Sequence, residues 1–485
     1  MHRHAAAATL AAMATASAHA VIAAHRFGLG EHALGAAAAD PAGWLRGQIG
    51  PADAQRGRDL PDAMAGLRAH AEFVRRRREM KAGDDSRSGE QQFGEHFRAL
   101  VVADTRAHLV TAATTQRPFA ERLAQFWANH FTVSIAKASA RGLAGAFERE
   151  AIRPHIAGRF ETMLKAAVTH AAMLRYLDND QSAGRGSRIV RQLARRGERT
   201  GDAPRITGLN ENLAREVLEL HTLGVADGGA AYGGWGGYTQ ADVTAFAAVL
   251  TGWRTPAREF LLGSASAPVR FDADWHEPGA KTVLGRRYAE GPEALDAVLR
   301  DLAAHPSTAR FLAAKLARHF VADDPPPALV ARLAEAYTRS GGDLPAVYRA
   351  LIEAPEAWQP GGAKLKTPAE FVISSARLLG LGEQAFARAP DGGIGALGQR
   401  VQAAPSPAGW PDRADEWLGP DAVWKRVEWA TRAADRAGRF ADARALAVAS
   451  LGPALSDASR RQIERAADGP QALALLLLAP EFQRR

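Results

Sequence analysis

The spacing of apolar residues is helical along nearly the whole chain, with apolar positions recurring three and four residues apart. Turn residues, mainly glycine and proline, divide these stretches into separate segments. No run of alternating β-branched residues is long enough to predict a substantial sheet. We therefore predict an all-α fold, a globular array of many helices with at most a short β-hairpin near residues 269–288. The most strand-like stretches there are VRFDADWH and KTVLGRRY.

Helix end signals support this prediction. In NENLAREVLELHTLGV (210–225), Asn210 suits the N-cap, where its side chain accepts from free backbone N–H groups. Gly224 suits the left-handed position that follows a helix. Thr239 and Asp242 have the spacing of a capping box at the start of the next helix.

The chain predicts a single large helical domain over residues 21–485, with a soft subdivision near 254–292. Another loop is predicted over 181–208. Residues 1–20 indicate a weak leader or a start codon placed too early, because their apolar stretch is mostly alanine and threonine. We favour a cytoplasmic location; a working signal peptide in 1–20 would instead make the protein periplasmic or exported. No apolar run reaches the length of a transmembrane helix.

Composition narrows the chemistry. The chain has no cysteine, which excludes thiolate metal sites, Fe–S clusters and covalently attached haem. The formal charge is +8, and 53 of the 61 basic residues are arginine, spread along the sequence. This pattern indicates coding bias, so nucleic-acid binding is not expected. We find no HExxH, P-loop, GxSxG or EF-hand motif, and we expect no haem or nucleotide cofactor.

Scarce residue types point to specific positions. The only asparagines are Asn129, Asn179, Asn210 and Asn212, all within 84 residues. A chain depleted in asparagine keeps it where an amide is needed, although caps and turns also favour it. The same reasoning for lysine selects Lys281, Lys364 and Lys366, either as donors to an anionic group or as ordinary surface lysines.

The helix predicted at 210–225 carries a polar stripe. At the angular step of an α-helix, Asn212, Arg215, Glu216 and Glu219 share an arc of about 100° beside the buried face. Two carboxylates three residues apart can bind a cation together or divide acid and base roles. The alternative is a solvated or internally paired stripe, for example an Arg215–Glu219 salt bridge.

Two histidines complete the candidate set. His130 shares a helix face with Phe126 and Trp127, where a core histidine is the alternative to a functional one. His276 lies in a loop, where it is either exposed or part of a site. Glu216, Glu219 and His276 are the candidate ligands for a divalent cation. The candidate catalytic residues are Asn129, His130, Asn212, Arg215, Glu216, Glu219, His276 and Lys281.

Eight phrases, in order, resemble the bacterial family called domain of unknown function 1800. They are RFGLG (26–30), FWANHFTVS (126–134), YLDNDQSAGRGS (176–187), NENLAREVLELHTLGV (210–225), YTQADV to LTGW (238–253), HEPGAKTVLG (276–285), HPSTARFLAAKL (305–316) and SPAGWPD (406–412). The resemblance implies a large, mainly helical bacterial protein without an established activity. It also implies a sulfatase-like protein as a functional partner. Glu277 departs from the family phrase, which more usually has aspartate there.

Two functions follow as hypotheses. The first is an enzyme whose polar residues converge for acid–base or metal-assisted hydrolytic chemistry, with Glu216 as general base or ligand and Glu219 as its partner. In this hypothesis Arg215 binds an anion and His130 donates a proton. The second is a non-catalytic scaffold or accessory protein, in which the same residues form a buried network that locks helices together.

Overall fold

The computed structural model describes residues 18–79, 88–200, 208–225, 237–362 and 364–485. These residues confirm a mainly helical fold, and their strands are confined to two short pairs. Most of the segment 1–20 lies outside the described residues. None of the helices in the described ranges combines the length and hydrophobicity needed to span a bilayer.

Several of the longer helices begin at a residue whose side chain accepts from a free backbone N–H group. Ser88 forms a capping box with Gln91, and several helices start with proline, which suits the first turn because its missing N–H is not needed there. The α-helices of the first half are Gly35–Ala38, Pro41–Arg46, Ala63–Glu79, Gly89–Thr114, Pro118–His130, Ala144–Phe147, Phe160–Val168, Ala171–Tyr176, Arg188–Thr200, Asn212–Glu216 and Gln240–Leu250.

The second half continues the helical array. Its α-helices are Ala257–Leu262, Glu293–Ala304, Pro306–Phe320, Pro327–Ser340, Leu344–Glu353, Pro368–Leu378, Pro420–Ala437, Ala443–Leu451, Asp457–Glu464, Gly469–Leu478 and Pro480–Gln483. Wider π-helical turns occur at Ala23–Phe27, Glu148–Ile152 and Val217–Thr222. Short 3₁₀ turns occur at Ala138–Ala140, Arg153–His155, Asn179–Gln181, Pro355–Trp358, Gly382–Phe386, Gly395–Leu397, Ala414–Trp417 and Gly452–Ala454.

The strands form two separate antiparallel pairs. β1 (Trp253–Arg254) pairs with β2 (Arg270–Phe271), and β3 (Lys281–Val283) pairs with β4 (Arg286–Tyr288). The predicted hairpin is therefore the second pair alone, because the first strand-like stretch pairs with Trp253 instead. Leu284 and Gly285 connect β3 to β4 with φ angles of 50° and 74°, as a two-residue hairpin turn requires.

Several end-signal predictions are confirmed. Thr239 and Asp242 form the predicted capping box, and Gly224 has a φ angle of 88°. The N-cap prediction for Asn210 is wrong by one residue, because the helix begins at Asn212 and Glu211 takes the N-cap position. The side chain of Asn210 still accepts a hydrogen bond from the backbone N–H of Asn212, at 2.9 Å. The loop predicted over 181–208 is wrong in part, because Arg188–Thr200 is helical.

The apolar core consists of two clusters. The larger one contains Phe27, Phe119, Trp127, Phe160 and Tyr348 and gathers side chains from most of the chain up to residue 357. The smaller one is formed mainly by residues 371–482, joined by part of the long helix Gly89–Thr114. Elements of both clusters border one polar cleft, which therefore lies where the two cores meet.

Candidate functional site

A cleft with a volume of about 600 Å³, lined by both polar and apolar side chains, opens mainly between two helices, a π-helical turn and a loop. The helices are Pro118–His130 and Pro306–Phe320, the π-turn is Val217–Thr222, and the loop is residues 399–412. We call this the polar cleft. The polar residues that line it include Gln125, Asn129, His130, Glu219, Lys315, Arg318, His319, Glu370, Arg400 and Asp412.

Lys315 and His130 form a hydrogen-bonded pair on the cleft wall. The Nζ of Lys315 lies 3.1 Å from Nδ1 of His130, and Nε2 of His130 lies 3.1 Å from the carbonyl oxygen of His221. That carbonyl can only accept, so the His130 proton sits on Nε2 and Nδ1 accepts from the lysine. Burial, reinforced by the charge of Lys315, holds the pKa of His130 well below its usual range, so the imidazole is neutral.

Burial also lowers the pKa of Lys315 to about 8, although the charge of Asp412 acts in the opposite direction. The ammonium faces the ring of Phe311, with Nζ 5.5 Å from the ring centroid. Within the described residues no carboxylate forms an ion pair with Lys315. Its amine is therefore mainly protonated at neutral pH and lacks a direct counter-ion among the described residues.

His319 lies one helical turn after Lys315 and lines the same cleft. Its Nδ1 lies 3.4 Å from Oδ2 of Asp412, while its Nε2 is buried and has no hydrogen-bond partner in the described part of the chain. Burial lowers the pKa of His319, and Asp412 offsets this only partly. The neutral imidazole therefore carries its proton toward Asp412, and no described group of the protein uses the Nε2 lone pair.

A buried ion network supports Asp412 and the neighbouring wall. Lys364 and Arg485 lie 3.3 and 3.7 Å from Oδ1 of Asp412. Burial alone would raise the pKa of Asp412, but His319 and these cations bring it down to about 2. Glu370 is ion-paired with Arg122 and, at 3.0 Å, with Arg485. Both carboxylates are thus fixed anions with their own cationic partners.

The loop that carries Asp412 is fastened to helix Pro118–His130 by Asn129. The side-chain amide of Asn129 donates to the carbonyl of Trp410 at 3.0 Å, and its oxygen accepts from the Trp410 N–H at 2.8 Å. Gly409 has a φ angle of 90°, and a Cβ there would lie 2.5 Å from the carbonyl oxygen of Asn129. Asn129 thus positions the cleft loop, and its amide is used by the protein itself.

Glu219 is the part of the predicted polar stripe that reaches the cleft. The stripe was predicted for an α-helix, whereas the chain changes from α-helix to π-helix at Val217. The wider i→i+5 turn alters the angular relation between Glu216 and Glu219. Glu219 lines the cleft; Glu216 does not. Burial, with the neighbouring charge of Glu219, raises the pKa of Glu216 to about 7.

Arg215 and Asn212 lie away from the cleft. The guanidinium of Arg215 donates to Gln240 at 2.8 Å and pairs with Glu211 at 3.4 Å. The alternative Arg215–Glu219 pair is not formed. Arg215 pairs instead with Glu211, one turn earlier, which itself accepts from Thr244 at 2.6 Å. Asn212 is exposed. This part of the stripe joins helix Asn212–Glu216 to helix Gln240–Leu250.

His276 and Lys281 form a separate buried pair. Nδ1 of His276 lies 2.8 Å from the carbonyl oxygen of Thr251, and its Nε2 lies 2.9 Å from Nζ of Lys281. Lys281 also donates to the carbonyl of Glu277. Both ring nitrogens of His276 are therefore occupied by the protein. Burial lowers the pKa of His276 and of Lys281.

The predicted metal site is not assembled. Within the described residues, which include all three candidates, no group of three or more His, Asp or Glu side chains is arranged to hold a metal ion. Glu216 and Glu219 are neighbours in one helical segment, but both ring nitrogens of His276 are engaged with Thr251 and Lys281. The prediction of a joint site was wrong because sequence spacing gave no information about where the 276 loop packs.

Of the eight predicted residues, the structure brings Asn129, His130 and Glu219 together in the cleft. Sequence reasoning missed Lys315, His319 and Asp412. The signals were present: Lys315 is one of only eight lysines, and His319 follows it by four residues on the same helix face. Asp412 ends the phrase SPAGWPD, which the side chain of Asn129 binds through Trp410.

A family-level comparison agrees with the phrases noted in the sequence. The sequence profile of the family described as "Protein of unknown function (DUF1800)" matches residues 22–484. The chain therefore belongs to this family. No curated protein and no solved structure matches it.

Proposed function

We propose that this protein is a hydrolytic enzyme that works by general acid–base catalysis in the polar cleft. The observation that carries the proposal is His319: a cleft-lining imidazole, paired with Asp412 on one side, whose Nε2 no described protein group uses. Buried polar atoms are nearly always hydrogen-bonded, so an exception on the wall of a cleft points to a role with a bound molecule. Lys315, four residues earlier, supports the proposal because it supplies a proton donor on the same wall.

In this mechanism His319 is the general base. Its Nε2 takes a proton from a nucleophilic water as the water attacks the substrate. Asp412 holds the Nδ1–H tautomer and stabilises the imidazolium that forms. Asp412 suits this role because its pKa of about 2 keeps it ionised throughout the working range.

Lys315 is the general acid. Its ammonium gives a proton to the leaving group, and a lysine with a pKa of about 8 transfers it more readily than an ordinary lysine. His130 positions the ammonium by accepting from it at Nδ1, and the His221 carbonyl fixes the His130 tautomer. Glu219, on the same cleft wall, interacts with polar groups of the substrate.

The proposal predicts a bell-shaped dependence of kcat on pH. The acidic limb follows protonation of His319 and lies below the usual histidine range, because burial lowers its pKa. The basic limb lies near pH 8, where Lys315 loses its proton.

The test is a panel of chromogenic esters, amides, phosphates, sulfates and glycosides, assayed with wild type and His319→Asn. We expect kcat to fall by about 10²- to 10⁴-fold with little change in KM, since removing a general base affects the transition state. His155→Asn is the matched control, because His155 is a partly buried histidine that does not line the cleft. Equal activity of wild type and His319→Asn on every substrate turned over would contradict the proposed role.

A non-catalytic accessory protein is the second candidate. The observation that favours it is that most predicted site residues bond to the protein itself: Asn129 to Trp410, Arg215 to Gln240 and His276 to Lys281. In this case the cleft loop is a binding surface for a partner, and the family resemblance suggests a sulfatase-like one. Pull-down of that partner with wild type and His319→Asn tests the candidate, because a scaffold needs no general base and should bind equally in both.

A further inference from the structure

Lys315 has surroundings unlike those of the other lysines that the structure describes. Four lysines in the described residues contact carboxylates: Lys137 with Asp178, Lys165 with Asp296, Lys364 with Asp323 and Lys425 with Asp421. Lys281 bonds to His276, and Lys366 lies 4.0 Å from the ring centroid of Phe482, away from the cleft. Lys315 alone of these seven lines the polar cleft, and it has no direct carboxylate partner.

The hydrogen bonds of Lys315 leave donor capacity. An ammonium has three N–H groups, and the single hydrogen bond found for Lys315 goes to a neutral acceptor, Nδ1 of His130. A buried or half-buried cation without a counter-ion is costly unless an anion approaches it. Asp412, the carboxylate whose charge acts on Lys315, is already paired with His319, Lys364 and Arg485.

A second cation strengthens the positive potential at this place. Arg318 follows Lys315 by three residues, lines the same cleft and contributes to lowering the pKa of Lys315. Its Nε donates to the carbonyl of Asp323 at 2.9 Å, which fixes the guanidinium beside the cleft. His130 adds no charge, since burial keeps it neutral. Two cations and a neutral histidine thus border this part of the cleft.

We propose that the Lys315 end of the polar cleft binds an oxyanion, the carboxylate, sulfate or phosphate group of a substrate. The inference deepens the proposed function, because it takes the cleft to be the substrate site. The oxyanion accepts hydrogen bonds from the Lys315 ammonium. One N–H group of that ammonium donates to His130, which leaves the other two for the anion. Glu219, Asp412 and Glu416 also line the cleft, so the cations Lys315 and Arg318 are the groups against which an anion is placed.

The experiment measures binding of inorganic and organic oxyanions to the full chain. Sodium sulfate, phosphate and acetate are titrated separately at constant ionic strength, with sodium chloride as the balancing salt, and the melting temperature is recorded. Sulfate and phosphate also stabilise proteins generally by exclusion from the surface, and that contribution is linear and common to all variants. A bound oxyanion instead gives a saturable rise.

Lys315→Met is the test variant, because methionine keeps the length of the side chain and removes the charge. Lys165→Met is the matched control, since Lys165 is an exposed lysine paired with Asp296. We expect at least one oxyanion to give a saturable rise in wild type and Lys165→Met, weakened tenfold or more in Lys315→Met. If Lys315→Met does not fold, wild type at rising pH replaces it: binding should weaken above about pH 8, where Lys315 loses its proton.

The inference is overturned if no oxyanion gives a saturable rise, or if Lys315→Met retains it. The three salts separate the sources of the anion, because the one with the strongest effect identifies carboxylate, sulfate or phosphate. His319→Asn distinguishes this inference from the proposed function. Oxyanion binding without any effect of His319→Asn on turnover supports the site and removes the acid–base role. Turnover of uncharged substrates that depends on His319, without oxyanion binding, supports the acid–base role and removes the oxyanion site.

Discussion

Replacing Gly409 with alanine should destabilise the protein by more than the backbone angle alone explains. Gly409 has a φ angle of 90°, which costs a residue with a Cβ about 1–2 kcal/mol. The new Cβ would also lie 2.5 Å from the carbonyl oxygen of Asn129 and 2.7 Å from its Oδ1. A backbone oxygen within a helix cannot rotate away, so the loop has to move.

That movement breaks the two hydrogen bonds between Asn129 and Trp410, each of which contributes about 0.5–1.5 kcal/mol. With the strain added, Gly409→Ala should lose about 2–5 kcal/mol of unfolding free energy. The chain offers a close control: Gly398 has a φ angle of 94°, and no atom lies within 4 Å of the position that a Cβ would take there. Gly398→Ala should therefore lose only the strain of about 1–2 kcal/mol.

The assay is guanidinium unfolding followed by far-UV circular dichroism and tryptophan fluorescence, with the free energies compared at equal slopes. The expected order of stability is wild type, then Gly398→Ala, then Gly409→Ala. If the two alanine variants lose the same free energy, the close contact with Asn129 does not hold the cleft loop. Asp412 follows Gly409 by three residues, so a displaced loop should also lower kcat by weakening the support of His319.

Three further predictions concern buried charges and the loop. Glu216→Gln should raise the unfolding free energy at pH 8 by about 1 kcal/mol once solvent screening is allowed for. The pKa of Glu216 is raised to about 7 in the folded state, so its stabilisation is present below about pH 4.5 and is lost as pH rises through 7; a constant gain at all pH values would contradict this. Asn129→Asp removes the donor to Trp410 and should cost about 1–3 kcal/mol, whereas an unchanged denaturation midpoint would mean that the amide is dispensable. Glu148 is buried with His108 and Arg153; burial would raise its pKa, but these partners lower it to about 2. Its contribution is therefore present above about pH 4.5 and is lost as pH falls toward 2. Glu148→Gln should cost about 3–5 kcal/mol at neutral pH, and a loss that persists at pH 2 in urea unfolding would refute the assignment.

The helical class and many helix ends were predictable because they depend on residues close in sequence. The capping box of Thr239 and Asp242 and the positive φ angle of Gly224 follow from local hydrogen bonding and backbone geometry. The change to π-helix at Val217 was not predictable, since one inserted residue per turn leaves the apolar pattern almost unaltered. After that change Glu219 lines the cleft and Glu216 does not.

The scarcity of asparagine and lysine indicated which positions to consider, but it did not indicate what their side chains contact. Asn129 was selected as a position that requires an amide, and in the structure both ends of that amide bond to a loop 281 residues away. Lys281 was selected by the same reasoning and is engaged with His276. Sequence alone gives no distance between segments so far apart, and for that reason the assembly of the site was the part that could not be predicted.

In the proposed mechanism, the residues that act on the substrate differ from those that hold them in place, and single substitutions can distinguish the two groups. Lys315 and His319 project from one rigid helix, where a side chain is placed more accurately than on a loop. Asp412 lies on a loop, but Asn129 and the buried cations Lys364 and Arg485 fix it. A substitution at Asn129 or Gly409 should therefore lower stability and turnover together. His319→Asn should lower turnover far more than stability, because Nε2 of His319 bonds to no described protein group and the amide of asparagine can still donate to Asp412.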